Sequence, residues 1–178
     1  NLDNACSIIN ERPSYIKAMK RAEDKWGVPV HVQMATIHQE SRFKSKARTP
    51  YRFSLGVIPM GRQSSAYGYA QALDGTWRRY QYATGNYSGN RDNFADASDF
   101  IGWYGHSMAT RTKASVISAR NLYLAYHEGV GGFARRTYLQ KPWLVKVANK
   151  VQARANTYQH QLNSCAGSLP SKSWWHIW

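Results

Sequence analysis

The residues of this chain that can do proton chemistry are few, and Glu40 is the most suggestively placed. It lies in "ATIHQESRFKSKA", residues 35–47. On a helix that starts near Pro29, Gln33, Ile37 and Glu40 form one stripe by i, i+4, i+7 spacing, beside an apolar face of Val30, Met34 and Ser41. Glu40 therefore falls at the edge of the core, close to the helix C-terminus. That end of the helix dipole disfavours a negative charge, which helps keep a carboxyl group protonated and able to act as a general acid. By position alone the plainer reading is a partly exposed glutamate paired with Arg42 or Lys44, because glutamates are seldom buried. The other carboxylates leave a second acid open. Asp92, Asp96 and Asp99 read as a solvated face. Glu128, before Gly129, reads as a solvated helix terminus or a partner of Arg135 or Arg136. The six histidines are scattered and no CxxC occurs, so neither a metal nor a cofactor is expected.

Two further stretches bear on Glu40. "SAYGYAQ" at 65–71 brings a glycine, two tyrosines and a glutamine to the far side of a long aperiodic segment. "NLYLAYHEG" at 121–129 ends a helix with Tyr126, His127 and Glu128. In this order, Glu40-Ser41, Gly68-Tyr69-Ala70-Gln71 and Ala125-Tyr126-His127-Glu128-Gly129 resemble three motifs of the soluble lytic transglycosylase-like domains with the goose-type lysozyme fold. The family's forms are Glu-Ser, Gly-Leu-Met-Gln and Ala-Tyr-Asn-Ala-Gly, and the resemblance spans about residues 12 to 160. This chain departs from the pattern at Tyr69-Ala70, at His127 in place of Asn, and at Glu128 in place of a small residue.

The resemblance implies an all-α, lysozyme-like domain that cuts peptidoglycan. It implies that Glu40 is the catalytic acid, that Ser41 helps orient the substrate's N-acetyl group, that Gln71 lines the glycan cleft and that Tyr126 stands near the carboxylate. Gly68, Tyr69 and His127 complete the matched motifs as expected substrate contacts, with His127 reading equally as a packing or capping residue. Because sugars stack on aromatic faces, Tyr69, Tyr104, Tyr138 and Trp143 are expected to line the cleft, whereas Trp77 and Trp103 are assigned to the core. Most glycosidases pair two carboxylates. A lytic transglycosylase needs one, because the C6 hydroxyl of N-acetylmuramic acid replaces water and closes a 1,6-anhydro ring. A hydrolytic muramidase on the same fold is the alternative.

The elements that must hold these residues are mostly helical. "RPSYIKAMKRAEDKWG" has Pro13 and Ser14 at its start and Gly27 as a stop, and the next helix restarts at Pro29. Residues 44–70 show no helical period and read as a long irregular loop or small hairpin, a length that usually signals function. Asp74 reads as the N-cap of a short helix. A long helix follows with Phe94, Ala97, Ile101 and Tyr104 on one face. The next is capped near Ser115 and stops at Gly129, and a last amphipathic helix carries Trp143, Val147 and Val151 on one side. A single domain over 1–166 and a separate aromatic tail over 167–178, containing "SWWHIW", are expected. The tail is a candidate for contact with a protein or a membrane surface.

The chain's 178 residues suffice for a real core, and 43% hydrophobic with 19% charged residues is a globular composition. A net charge of +14 calls for a polyanionic partner. An acidic wall polymer fits best. A nucleic-acid-binding helical module and a catalytically silent glycan-binding domain are the competing classes, and no nucleic acid is expected as partner because no recognition helix with clustered Arg and Asn is evident. Cys6 and Cys165 lie near opposite ends. A bridge between them would pin a terminal segment to the last helix and imply an oxidising, periplasmic or otherwise extracytoplasmic setting. Two buried thiols are the other reading. A monomer is expected, with any targeting segment absent from this chain.

Overall fold

In a computed structural model, residues 1–48, 51–54, 58–62, 64–115 and 118–165 are described. Among them are seven α-helices: α1 (Ala5–Glu11), α2 (Pro13–Trp26), α3 (Val30–Ser41), α4 (Asp74–Thr84), α5 (Phe94–Thr112), α6 (Ala119–Ala134) and α7 (Pro142–Ser164). A 3₁₀ turn, Thr137–Gln140, joins α6 to α7, and β1 (Tyr51–Ser54) with β2 (Ile58–Arg62) forms a small antiparallel hairpin. The fold is all-helical in its body, and the aperiodic segment contains the expected hairpin. Its register pairs Tyr51 with Arg62 and Ser54 with Ile58, with an irregularity between Tyr51 and Phe53. The aromatic tail lies outside the described residues.

The helix at the centre is α3. Read as amphipathic, it is instead buried on nearly every side: Val30, Val32, Gln33, Met34, Ala35, Thr36, Ile37, His38 and Ser41 are all buried. Helices α2, α5, α6 and α7 all pack on it. Some of its polar groups are paired inside the core, where Gln33 Nε2 donates to the carbonyls of Met19 and Val28 at 2.9 Å each and Thr36 Oγ1 donates back to Val32 at 2.9 Å. Glu40, one residue before the end of this helix, thus inherits a rigid mount.

Other boundaries differ from the sequence reading for definable reasons. The N-terminal helix α1 has no expected counterpart; it is one short amphipathic turn-pair, capped by Asn4 Oδ1 on Ser7 N–H. Asp74 is not an N-cap. Leu73 takes that place, while Asp74 begins the first turn and pairs with Arg91 at 2.9 Å. Helix α6 is capped by Ser118, not Ser115, and does not stop at Gly129. Gly129 adopts φ 77°, ψ 159° and kinks the helix, which resumes to Ala134. The buried stripe of α7 is Leu144, Ala148, Val151, Ala155 and Tyr158, leaving Trp143 57% exposed. As expected, Trp77 is in the core and Trp103 packs against it.

Cys6 on α1 and Cys165 at the end of α7 form a disulfide across 159 residues of sequence. Beside it, Gln161 Oε1 accepts from Ala5 N–H at 2.8 Å and Tyr158 Oη donates to the Leu2 carbonyl at 2.6 Å. The two ends of the domain are therefore tied by covalent and polar links together.

Candidate active site

The backbone turns sharply directly after Glu40. Arg42 and Phe43 both take left-handed conformations, φ 51° and 62°, and Arg42 N–H closes the helix on His38 O at 3.0 Å. Such conformations cost roughly 1–2 kcal/mol per non-glycine residue, and persist where surrounding structure imposes them. The sharp turn ends α3 and leaves the Glu40 carboxyl at its terminus, facing a groove.

The groove's opposite bank is the turn over residues 65–72. Gly68 has φ 84°, and a Cβ there would lie 2.1 Å from the Arg91 carbonyl oxygen, so only glycine fits. Gly68 N–H donates to Ala47 O at 2.9 Å. Gln71, also left-handed at φ 53°, donates Nε2 to the carbonyls of Ala47 at 2.7 Å and Gly68 at 2.9 Å. Arg91 braces the same turn from α5's approach, donating Nη1 to Ser65 O at 3.0 Å and Ala72 O at 2.9 Å. The third side is α6, where the Tyr126 hydroxyl donates to the Ala70 carbonyl and ties helix to turn.

The resulting cleft has a volume of about 610 Å³. Glu40 lines it together with Phe100, Tyr104, Tyr123 and Tyr126, and Gln71, Thr76, Arg79, His127 and Glu128 complete the lining. Tyr104 and Tyr126 meet edge to face at 5.0 Å, and Tyr104 Oη donates to Ala125 O at 2.8 Å. Burial pushes the Glu40 carboxyl from its ordinary 4.5 up to about 8. Among the described residues it has neither a hydrogen bond nor an ion pair. Its effect is felt on its neighbours: burial first, then the Glu40 charge, raises the hydroxyls of Tyr123, to about 12, and of Tyr126.

Glu128 is the opposite case. Its Oε2 meets Lys141 Nζ at 2.8 Å and His127 Nδ1 at 3.2 Å, and its Oε1 accepts from Thr137 Oγ1 at 2.9 Å. The Lys141 hydrogen bond, above all, holds its carboxyl down at about 2. It is neither solvated nor paired with Arg135 or Arg136; the 3₁₀ turn folds Lys141 back onto it. The aspartates are also not a solvated face. Asp99 accepts from Trp26 Nε1 at 2.8 Å and Tyr80 Oη at 2.6 Å, Asp96 from Asn86 and Asn90, and Asp92 from Tyr67 Oη at 2.9 Å. All three secure the start of α5 and none lines the cleft.

Of the residues singled out in the sequence, Glu40, Gln71, Tyr104, Tyr126 and His127 converge on this cleft. Ser41 does not. It is buried, and its hydroxyl donates back to Ile37 O at 3.2 Å. Gly68 shapes the bank from behind. Tyr69 points away into the α2–α5 contact, where its hydroxyl meets Tyr15 Oη at 2.9 Å and its ring lies edge-on to Phe94. Tyr138 stacks on Phe133 outside the cleft. Trp143 stands at the margin, edge-on to His127 at 5.5 Å. Sequence reasoning missed Tyr123, whose signal was available: it precedes Tyr126 by three on one helix face. It also missed Thr76 and Arg79, which carry no motif. Among the described residues no group of three His, Cys, Asp or Glu is placed to hold a metal ion.

No curated protein and no solved structure matches this chain. The family model described as "Transglycosylase SLT domain" matches residues 1–165. That span takes in α1, all three motifs, both cysteines and every side of the cleft. The chain belongs to the transglycosylase SLT domain family.

Proposed function

We propose that this protein is a lytic transglycosylase that cleaves the β-1,4 bond between N-acetylmuramic acid and N-acetylglucosamine in peptidoglycan. The observation that carries this reading is the contrast inside the cleft: Glu40 meets no donor among the described residues, and burial pushes its carboxyl up to about 8, whereas Glu128 accepts from Lys141, Thr137 and His127. Glu40 gives its proton to the bridging oxygen as the bond to the anomeric carbon breaks. The positive charge that builds there is met by the substrate's own N-acetyl oxygen. The Glu40 carboxylate then takes the proton of the C6 hydroxyl as O6 attacks the anomeric carbon. The 1,6-anhydro ring closes and the acid is restored, with no net gain or loss of protons. A group with a pKa near 8 is suited to both halves of this cycle near neutrality.

The aromatic bank of Phe100, Tyr104, Tyr123 and Tyr126 suits the faces of sugar rings, and the +14 charge suits a polymer rich in carboxylates. The Cys6–Cys165 disulfide favours an oxidising, extracytoplasmic place of work. A hydrolytic muramidase is the second reading, supported by the presence of Glu128 in the same cleft. Mass spectrometry of the products from purified sacculi decides between them. Anhydromuramyl ends are expected, and reducing muramyl ends would establish hydrolysis instead.

A further inference from the structure

Past Tyr104 and Gly129 of the Glu40 cleft lies a second hollow of about 410 Å³, lined by Arg79, Trp103, Ser107, Arg111 and Val130 among others. Arg79, Tyr104 and Gly129 line both spaces, so the two hollows adjoin. The kink of α6 falls on the stretch that borders both. At Gly129 the backbone leaves the helical path, and no atom lies within 4 Å of where a Cβ would project.

Two guanidinium groups, those of Arg79 and Arg111, face this hollow. Arg79 Nη2 donates to the Thr76 hydroxyl at 3.3 Å, and among the described residues neither Arg79 nor Arg111 meets a carboxylate. Both guanidinium groups come close enough to the Tyr104 hydroxyl to oppose the rise that burial causes in it. Two exposed forks from different helices, α4 and α5, thus converge beside a tyrosine of the catalytic cleft. A planar guanidinium fork is matched to carboxylate oxygens in two-point hydrogen bonds.

We propose that this hollow is a subsite for the peptide stem of the substrate, in which Arg79 and Arg111 bind stem carboxylates. The inference rests on the peptidoglycan reading of the Glu40 cleft. The chemistry of that polymer supplies the reason. The stem is carried on the lactyl group of N-acetylmuramic acid, the sugar whose anomeric carbon reacts. A stem therefore leaves the glycan beside the scissile bond, in a cleft that the second hollow adjoins. Trp103 and Val130 offer apolar surface to its short side chains, and the two arginines receive its carboxylates. The enzyme accordingly prefers strands that keep their peptides.

Binding by the Glu40→Gln protein tests this without requiring turnover. The probes are peptidoglycan oligosaccharides with their stems and the same oligosaccharides stripped of stems by an amidase, titrated calorimetrically. Tighter binding of the stemmed strands, by about tenfold, is expected at low salt. Adding Arg111→Gln, which touches only the second hollow, is expected to reduce that preference about fivefold while leaving stripped strands bound as before. Arg78→Gln, the same charge change on the neighbouring exposed residue of α4, is the control and leaves the preference intact. Equal binding of both strands by the Glu40→Gln protein, or equal weakening of both by Arg111→Gln, would overturn the subsite. Failure of the transglycosylase reading shows separately, in the absence of anhydromuramyl products from the wild-type protein.

Discussion

Glu40 and Glu128 line one cleft and share one chemistry, yet their surroundings drive them to opposite states. Glu40 stands near the end of a helix buried on nearly all sides and finds no donor among the described residues, and burial raises its carboxyl to about 8. Glu128 follows Tyr126 by only two residues on α6, but Lys141, Thr137 and His127 all donate to it, and it is held at about 2. The lesson is that burial matters less than what is buried alongside. A carboxylate withdrawn from water with three donors stays charged and becomes structural; one withdrawn among tyrosine and phenylalanine rings keeps its proton and becomes an acid.

The largest expected effect tests that division directly. Glu40→Gln preserves the shape of the side chain and removes the titratable proton. It is expected to lower muropeptide release from sacculi by about 10²–10⁴-fold, the range for a general acid–base group, with Tm unchanged or raised. Glu128→Gln is expected to keep activity within about tenfold and to lower Tm, because Lys141 and Thr137 lose a charged acceptor. A Glu128→Gln protein as inactive as Glu40→Gln would mean a two-carboxylate mechanism, and the comparison would break.

Next in size is the disulfide, which lies away from both glutamates and should disturb neither. In the chain-entropy model, closing a loop of this length stabilises by about 4–5 kcal/mol. Cys6→Ser with Cys165→Ser is expected to lower Tm by roughly 10–20 °C, while the activity ratio between the parent and its Glu40→Gln form, measured well below Tm, stays as it was.

The two glutamates also pull stability in opposite directions with pH. Glu40 has a folded pKa above its unfolded value of 4.5, so the folded state binds the extra proton. Its contribution is complete below pH 4.5 and is lost as pH climbs toward 8. Glu128 has a depressed folded pKa, so its contribution is complete above pH 4.5 and is lost as pH falls toward 2. Melting the parent between pH 5 and 8 should show a decline that Glu40→Gln flattens and Glu128→Gln leaves in place. The same ionisation should make kcat/KM fall above about pH 8. A parent whose Tm is flat over that window would place the Glu40 carboxyl in contact with water or a donor.

Much of this was legible in the sequence, for physical reasons that also mark where legibility stopped. Pro13, Gly27 and Pro29 punctuate the chain as they should, because proline lacks the N–H that a helix interior needs and Gly27 takes the left-handed angle that closes a helix. The spacing also puts Glu40 at the end of its helix and the edge of the core. The burial of α3 was not legible, since periodicity reports one covered face and this helix has neighbours on nearly all of them. Gly129 reads as a stop in the sequence because a glycine marks a helix end and a kink alike, and only its φ and ψ tell the two apart. The motif residues divided by role in a way no spacing reveals: Gln71, Tyr126 and His127 line the cleft, whereas Gly68 and Tyr69 build its bank from behind. Arg79 escaped notice because it reaches the cleft from α4, which carries no recognisable motif.

The smallest expected effect asks whether the tyrosines beside Glu40 are walls or reagents. Tyr126 Oη donates its proton to the Ala70 carbonyl, so its hydroxyl fastens α6 to the 65–72 turn and that proton is not free for the substrate. Glu40, for its part, owes its raised pKa to burial and to no tyrosine hydrogen bond. Tyr126→Phe keeps the ring and leaves the Ala70 carbonyl without its donor, a loss of about 1 kcal/mol and roughly 2–4 °C in Tm. Activity should fall about three- to tenfold as the bank loosens, with the fall of kcat/KM above pH 8 left where it was. If the Tyr126→Phe protein lost as much activity as Glu40→Gln, or its pH profile moved with the substitution, the hydroxyl would share the proton with Glu40. The contrast between the two glutamates would then have to be redrawn around a Glu40–Tyr126 pair.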